Sequence, residues 1–530
     1  MSEKTIRIGK TVIETLTQGM YEDARFIYRE YIQNSADQID KAVSLSMLKN
    51  RKEGKINIII DNIKNEIIFE DNATGIKRDN IYEVLGNIAL SEKDRTKDKG
   101  FRGIGRLGGL GYCSELKFET SFADEPIKSI MTWDAKSLQE KLYDKKIKHD
   151  ASAIVESVIS LEHEDEESDS HYFKVILTGV NNELLLDEKN IREYLSMVAP
   201  VPYPTQFIFK SKIYSKSSEV NSEIDEYFIY LNTEQIFKPY TTNVYEMDNK
   251  NKRCIDEIFD INFFDIYCHN DNLIAWGWYG ITRFEKQIPS IPNYYRGIRL
   301  RKGNIQVGNE QTLVNKKLHR EDRGNQYFFG EVFCVHHDLI PNSRRDYFNE
   351  NDILKQFEDK LRDLFHGILY YLYHRANDIK NAYKKINKLD EFKKELAEKK
   401  QKGFLAGEKE EIDQKIEVAK KDAESANKTI QKIKSDIETD PGIKNKSLKI
   451  ILKKVEEKQN ILSDSGESFI TDSNNDIDQE NEKIKFRTDN LSTLSKQERK
   501  FLSKIFSIIK KTLIPEQAEE LIQKIEEELQ

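Results

Sequence analysis

The sequence predicts an α+β protein: two successive α/β domains, then a helical arm and a pair of C-terminal helices. Three observations predict it. The first ~200 residues mix one amphipathic helical stretch with short strand-like runs. From about Val201 the strand-like runs become aromatic-rich, and from Ile379 to Leu462 the chain turns Lys/Glu-rich with helical periodicity. The expected divisions are 1–200, 201–378, a coiled-coil arm at 379–462, a polar linker at 463–490 and a helical segment at 491–530.

At 530 residues the chain has room for several domains. It is 33% charged and 38% hydrophobic with a formal net charge of −8, a soluble balance. Such acidity weighs against a dedicated nucleic-acid coat protein but leaves room for a local basic stripe. The four cysteines, Cys113, Cys254, Cys268 and Cys334, form no CxxC pair, so neither a zinc knuckle nor a disulfide scaffold is expected. The start, MSEKTIRIGKTVIETL, has no apolar signal core, and no run is long enough to span a bilayer. A cytoplasmic protein without a membrane partner is expected.

In the first domain, YEDARFIYREYIQNSADQIDKAV carries Phe26, Ile27, Tyr31, Ile32 and Ile39 among charges, the pattern of an amphipathic helix. KINIIID and NEIIFED read as two strands joined by a turn near Asn62–Asn65. LKFETSF and HYFKVILTGV are further strands, and the acidic LEHEDEESDS before the latter reads as a solvated loop. In the second domain EYFIYLNTEQIF, NLIAWGWYGITRF, GIRLRKGNIQVG and YFFGEVFCVHH are strands, followed by a helix from about Asn351.

The arm carries Ile412, Ile416, Ala419, Ala423, Ala426, Ile430, Ile433 and Ile437 at spacings of four and three, a heptad seam. KGFLAGE and Asp440–Gly442 break the helix on either side, so an antiparallel fold-back is expected. Near the end, Ser495–Glu498 forms a capping box. Pro515 suits the first turn of a last helix.

The chemistry lies in the first domain. GFRGIGRLGGLGYC (Gly100–Cys113) contains G-x-G-x-x-G, but the charged SEKDRTKDK before it cannot be a buried strand, so a dinucleotide fold is excluded. No G-x-x-x-x-G-K-[ST] occurs, which excludes a P-loop. On the helix, Glu30, Asn34 and Asp37 fall near one face. An amide oxygen there can bind Mg²⁺ and a carboxylate can polarise water. Asp71 ends a strand with Gly75 four residues on, where a carboxylate can accept from an exocyclic amine and a glycine admits a flat base.

Taken in order, E-x-x-x-N-x-x-D, D-N-A-T-G, a Lys/Arg-rich segment and a glycine cluster resemble the GHKL ATPase superfamily. That family includes heat-shock-ninety chaperones, MutL-type and MORC ATPases, type II topoisomerase ATPase subunits and histidine kinases. The resemblance implies a Bergerat-type α/β sandwich that binds ATP and Mg²⁺. Glu30 would be the general base, Asn34 the magnesium ligand and Asp71 the adenine-amine acceptor above Gly75, with Asp37 on the same nucleotide-facing helix. Gly103, Gly105, Gly108, Gly109 and Gly111 would cap the phosphates through backbone N–H groups. SEKDRTKDKGFRG would be a lid, with Lys93 or Lys99 reaching a phosphate. The family's Gly-Thr pair is replaced by Tyr172 and Phe173, which leaves the adenine-binding hydroxyl unassigned.

The first histidine is His149, well after the helix, which argues against the histidine-kinase branch. DLIPNSRRDYF resembles the heat-shock-ninety catalytic loop, and by that resemblance Arg344 or Arg345 would reach the γ-phosphate. The second domain is similar to the family's transducer. Closure in this family commonly joins two ATPase domains, so a homodimer is implied. The arm and C-terminal helices would offer a surface to a protein client or partner. The expected function is that of an ATP-hydrolysing conformational machine of the GHKL type, whose ATP-driven closure acts on a macromolecular partner, as in a protein-remodelling ATPase. The alternatives are a DNA-clamping ATPase of the MORC or MutL kind, including in bacterial anti-phage defence, and an ATP-gated module with negligible turnover. Two further features read as structural. HREDRGN and His336–His337 lack a third metal ligand of matching spacing, and RGIRLRKGN is a solvated basic strand unless it meets nucleic-acid backbone.

Overall fold

A computed structural model describes residues 10–14, 23–88, 105–144, 151–440, 442–464 and 484–530. The chain divides into two compact units, Met1–Tyr370 and Tyr371–Gln530.

In the first unit, α1 (Phe26–Ser44) buries Ile27, Tyr28, Tyr31, Ile32, Ala36 and Ile39, which recur at helical spacing. The following strands are β1 (Lys55–Asp61), β2 (Glu66–Asp71), β3 (Glu115–Ser121), β4 (Ile127–Asp134), β5 (Ile159–Asp165) and β6 (Tyr172–Thr178). Helix α2 (Glu188–Val198) precedes β7 (Phe228–Leu231) and β8 (Glu234–Gln235). These eight strands form one sheet in the order β5-β4-β3-β6-β2-β1-β7-β8. Only β1 and β7 run parallel among its pairs. The sheet therefore takes in strands on both sides of residue 200.

Local chemistry fixes the β1–β2 hairpin. Asp61 Oδ1 accepts from Ile63 N and Lys64 N at 2.9 and 3.0 Å, and Asn65 takes a left-handed φ of 51°. Ile56, Ile58 and Ile60 alternate inward on β1. The rings of Tyr28 and Tyr31 pack on Phe69 of β2 at 5.1 and 4.8 Å between centroids, which seats α1 on the sheet.

LEHEDEESDS is not all loop, as the sequence suggested: its first half lies in β5. That strand is at the sheet edge and mostly exposed, so acidic side chains stand in water while the backbone pairs with β4.

Beyond β8, β9 (Asn243–Asp248) and β10 (Asn251–Glu257) form a hairpin. Five strands make the second sheet: β11 (Asp260–Tyr267), β12 (Leu273–Ile281), β13 (Gly297–Lys302), β14 (Ile305–Val307) and β15 (Phe329–Cys334), ordered β11-β12-β15-β13-β14. The expectation for RGIRLRKGN is corrected here. Strand β13 is buried nearly throughout, and Arg301 is fully enclosed. Its guanidinium Nε donates to Glu331 at 2.7 Å, and the Lys238 amine donates to the same carboxylate at 2.8 Å. Tyr203 adds its hydroxyl. Buried charge of this kind persists only when paired, so the basic strand is a core element and not a nucleic-acid contact. Helix α3 (Asp352–Leu364) closes this part, with Asn351 Oδ1 capping Leu354 N at 2.8 Å.

The second unit is helical: α4 (Tyr370–Lys402), α5 (Glu408–Thr439), α6 (Ile443–Asp464), α7 (Lys496–Thr512) and α8 (Pro515–Leu529). Seven of the seam residues, Ile412 to Ile433, are buried on α5. Helix α5 runs back along α4: Ala382 meets Ala426 and Ile430, and Lys399 pairs with Glu408 at 2.8 Å. Lys434 and Glu456, 3.1 Å apart, tie α6 to α5. The Ser495 capping box forms reciprocally. Helices α7 and α8 pack Phe506 and Ile522 on Leu405, so this end piece docks on its own chain.

Candidate nucleotide site

The site grows from α1. Glu30 is buried, and its Oε1 has no hydrogen-bond partner among the described residues. It stands instead between two guanidinium groups: Arg29 Nη2 at 3.6 Å and Arg345 Nε at 3.7 Å. Arg345 comes from the loop after β15. The loop is held where Gly308 N donates to Arg345 O at 2.7 Å and Arg29 Nη2 donates to Arg344 O at 3.4 Å. Of the two candidate arginines the structure brings Arg345 to Glu30, while Arg344 is exposed. Arg345 has a left-handed φ of 55°, uncommon for a side chain of its size.

The glycine run Gly105–Gly111 is a short 3₁₀ segment laid against α1. A Cβ on Gly105 would collide with Glu30 Oε2, and one on Gly108 would meet the Phe26 ring at 2.8 Å. Gly109 N donates to Tyr31 Oη at 3.2 Å, which in turn donates to Arg106 O at 3.0 Å. Gly108 and Gly109 thus permit close packing on the helix, and the Gly109 N–H is used by Tyr31. Gly105 is the glycine set beside the acid.

Asp71 ends β2 and is 1% exposed. Burial pushes its carboxyl up to about 7, against hydrogen bonds from the Ser35 hydroxyl and Ala73 N. Gly75 has φ 65°, and a Cβ there would overlap Ser121 O. The D-N-A-T-G turn therefore rests on the end of β3. It is tied further by Thr120 Oγ1, which accepts from Ile76 N and donates to Tyr172 O, both at 2.9 Å. Asn34 is half-buried one turn beyond Glu30, and Asp37 is buried.

A buried carboxyl at a strand end, a glycine that admits no Cβ and an acid on the facing helix coincide with a family match. The model for histidine kinase-, DNA gyrase B-, and HSP90-like ATPases matches residues 24–167. Residues 24–167 are a GHKL-family domain. Chaperone protein HtpG of Shewanella loihica is 24% identical over 180 residues, 31% of this chain and 28% of the relative. HtpG of Orientia tsutsugamushi is 32% identical over 135 residues, 22% of this chain and 21% of the relative. HtpG of Burkholderia ambifaria is 24% identical over 194 residues, 33% of this chain and 30% of the relative. The chain thus spans under a third of the length of these curated relatives.

Within the GHKL domain, Lys93, Lys99, Gly103 and the rest of the expected lid lie outside the described residues. Gly111 ends the 3₁₀ segment and is half-buried. Sequence reasoning missed Ser35, whose hydroxyl reaches Asp71, and Arg29, which flanks Glu30. Both adjoin residues read as functional, but which face an adjacent helical position takes depends on the packing partner. The Tyr172–Phe173 pair has its own structural work. Phe173 lies in register with Asp71 and Thr120, and Tyr172 Oη donates to Glu119 and Glu166 at 2.9 and 3.0 Å.

The histidines outside the domain divide. His319 is half-buried and stacks on Phe365 at 4.2 Å; desolvation pushes its pKa down to about 4. His336 and His337 do gain a third neighbour, Asp338, with candidate ligand atoms within 4.8 Å of one another. His336 Nδ1, however, already accepts from Asp338 N at 3.2 Å. Among the described residues no helix is long and apolar enough to cross a membrane.

Proposed function

We propose that the protein binds ATP with Mg²⁺ and hydrolyses it, using closure of its first unit to act on a macromolecular partner. The observation that carries this reading is the meeting of Glu30 with Arg345, an acid on the first helix and an arginine from a loop more than three hundred residues later. A carboxylate at that place can take a proton from an attacking water.

The residues fit the nucleotide on structural grounds. Asp71 offers a buried acceptor for an exocyclic amine, and Gly75, where a Cβ would overlap Ser121 O, lets the turn after Asp71 rest on β3. Asn34 offers the hard amide oxygen that magnesium takes. Bound magnesium would supply charge neutralisation at the phosphates. Glu30 would hold the proton taken from the attacking water at Oε1 or Oε2. Arg345 would move its fork of donors from Glu30 toward developing negative charge, which couples hydrolysis to the position of the second sheet. Ser35 is proposed to hold the Asp71 carboxyl in place for adenine. The arm and terminal helices are proposed as the contact for a second copy or a client.

Steady-state phosphate release from wild type and Glu30→Ala tests the reading. Loss of turnover with nucleotide binding intact supports it; equal rates remove Glu30 as the base.

A further inference from the structure

Next to the Glu30–Arg345 pair lies a cavity of about 540 Å³ that contains neither Asp71 nor Gly75 in its wall. Five arginines line it, Arg25, Arg29, Arg299, Arg344 and Arg345, against three acids, Asp23, Glu193 and Asp346. The acids are already engaged. Asp23 accepts from Arg25 Nε at 3.0 Å and Nη2 at 2.8 Å; Glu193 accepts from Tyr294 Oη at 2.8 Å; Asp346 accepts from Asn342 at 2.5 Å. The cations are less satisfied. Arg29 Nε and Arg299 Nε are buried without a hydrogen-bond partner among the described residues. Arg299 is 6% exposed, and its Nη2 donates only to backbone carbonyls, Tyr294 O at 3.2 Å and Arg296 O at 2.8 Å, with Glu310 3.8 Å away. Burial pushes Arg299 down to about 10, so it still carries its charge at neutral pH. Arg25 is braced by Asn190 Oδ1 at 2.7 Å and by the Tyr194 ring at 4.7 Å.

Buried guanidinium groups with spare donors and a positive surplus make a site for a small oxyanion. A cavity of about 540 Å³ leaves room for a hydrated phosphate. We propose that this cavity binds inorganic phosphate at a place distinct from the nucleotide, with Arg25, Arg29 and Arg299 as its donors. Its role as the way out for cleaved phosphate rests on the hydrolysis reading; the binding itself does not. Arg345 lines this cavity and is paired with Glu30, so on the hydrolysis reading that ion pair would part as phosphate enters.

The test is calorimetric titration of sodium phosphate into the full chain at constant ionic strength, with and without saturating non-hydrolysable ATP analogue. Wild type is expected to bind phosphate in both conditions, Arg25→Gln and Arg299→Gln at least tenfold more weakly, and all three to bind the analogue alike. Melting curves establish folding. If Arg299→Gln does not fold, the partly exposed Arg25 decides. Phosphate affinity unchanged in the folded variants, no binding by wild type, or full displacement by the analogue would each overturn the proposal. Failure of the analogue to bind, with phosphate binding intact, would overturn the nucleotide reading and leave this one standing.

Discussion

Arg345 Nε lies 3.7 Å from Glu30 Oε1, with 10% and 11% of the two side chains' surfaces exposed. The pair joins the first helix of the GHKL domain to the loop after β15. It exists only because β7 binds the first sheet and the chain then returns through the second.

Replacing Arg345 should therefore cost catalysis and not merely stability. Arg345→Ala is expected to lower turnover by about 10²–10³-fold, the range for loss of one preorganised charged donor. The exposed Arg344→Ala should cost far less. Arg345→Gly is the informative control, because glycine takes a φ of 55° without strain. It should melt no lower than Arg345→Ala and still lack turnover. Phosphate release at saturating ATP, with melting curves, reads all three; equal losses at 344 and 345 would refute the assignment.

Gly105→Ala should separate binding from chemistry. The added Cβ collides with Glu30 Oε2 and pushes the carboxylate off its position. A displacement of about 1 Å can cost about 10²-fold in rate. Affinity for a fluorescent ATP analogue should stay near wild type while turnover falls. Joint loss of both would mean that Gly105 shapes the nucleotide pocket itself.

The Asp71 carboxyl is raised to about 7, so its proposed contact with adenine should be pH-dependent. The sign follows from what the ligand needs. An amine donor is served by the ionised acid, so affinity should rise with pH, by about tenfold from pH 6 to 8 as the competent fraction grows. Adenosine is the probe, since it has no group titrating in that window. Stability of the nucleotide-free protein should move the other way. A raised carboxyl favours folding below its ordinary value near 4, and that contribution is lost as pH rises through 7. Asp71→Asn should flatten the stability profile and abolish the adenosine signal. A flat adenosine profile in wild type would contradict the role.

In the second sheet, Glu331→Gln should destabilise the first unit by about 3–5 kcal/mol, because Arg301 and Lys238 would stay buried without a countercharge. Burial alone would raise the Glu331 carboxyl, but Arg301 and Lys238 hold it down to about 2. Its stabilisation is therefore full above pH 4.5 and lost as pH falls toward 2. Urea midpoints at pH 7 and pH 3 check this: the deficit of the variant should shrink at pH 3, and an unchanged deficit would point to packing.

Local pattern alone determined the helix around Glu30, the β1–β2 hairpin, the heptad seam from Ile412 and the capping box at Ser495. Each depends on residues within a few turns, where periodicity and turn chemistry act directly. The order of Glu30, Asn34, Asp71, Gly75 and the glycine run was enough to point to the GHKL family, since chain order survives where identity does not. Tertiary structure alone decided what long-range packing controls. It buried Arg301 by giving it Glu331, from a strand that pairs with its own. It set Ser35 against Asp71 and used Gly109 to seat Tyr31. It also separated Arg345 from Arg344, because a left-handed backbone at one residue turns neighbouring side chains to opposite sides of the chain.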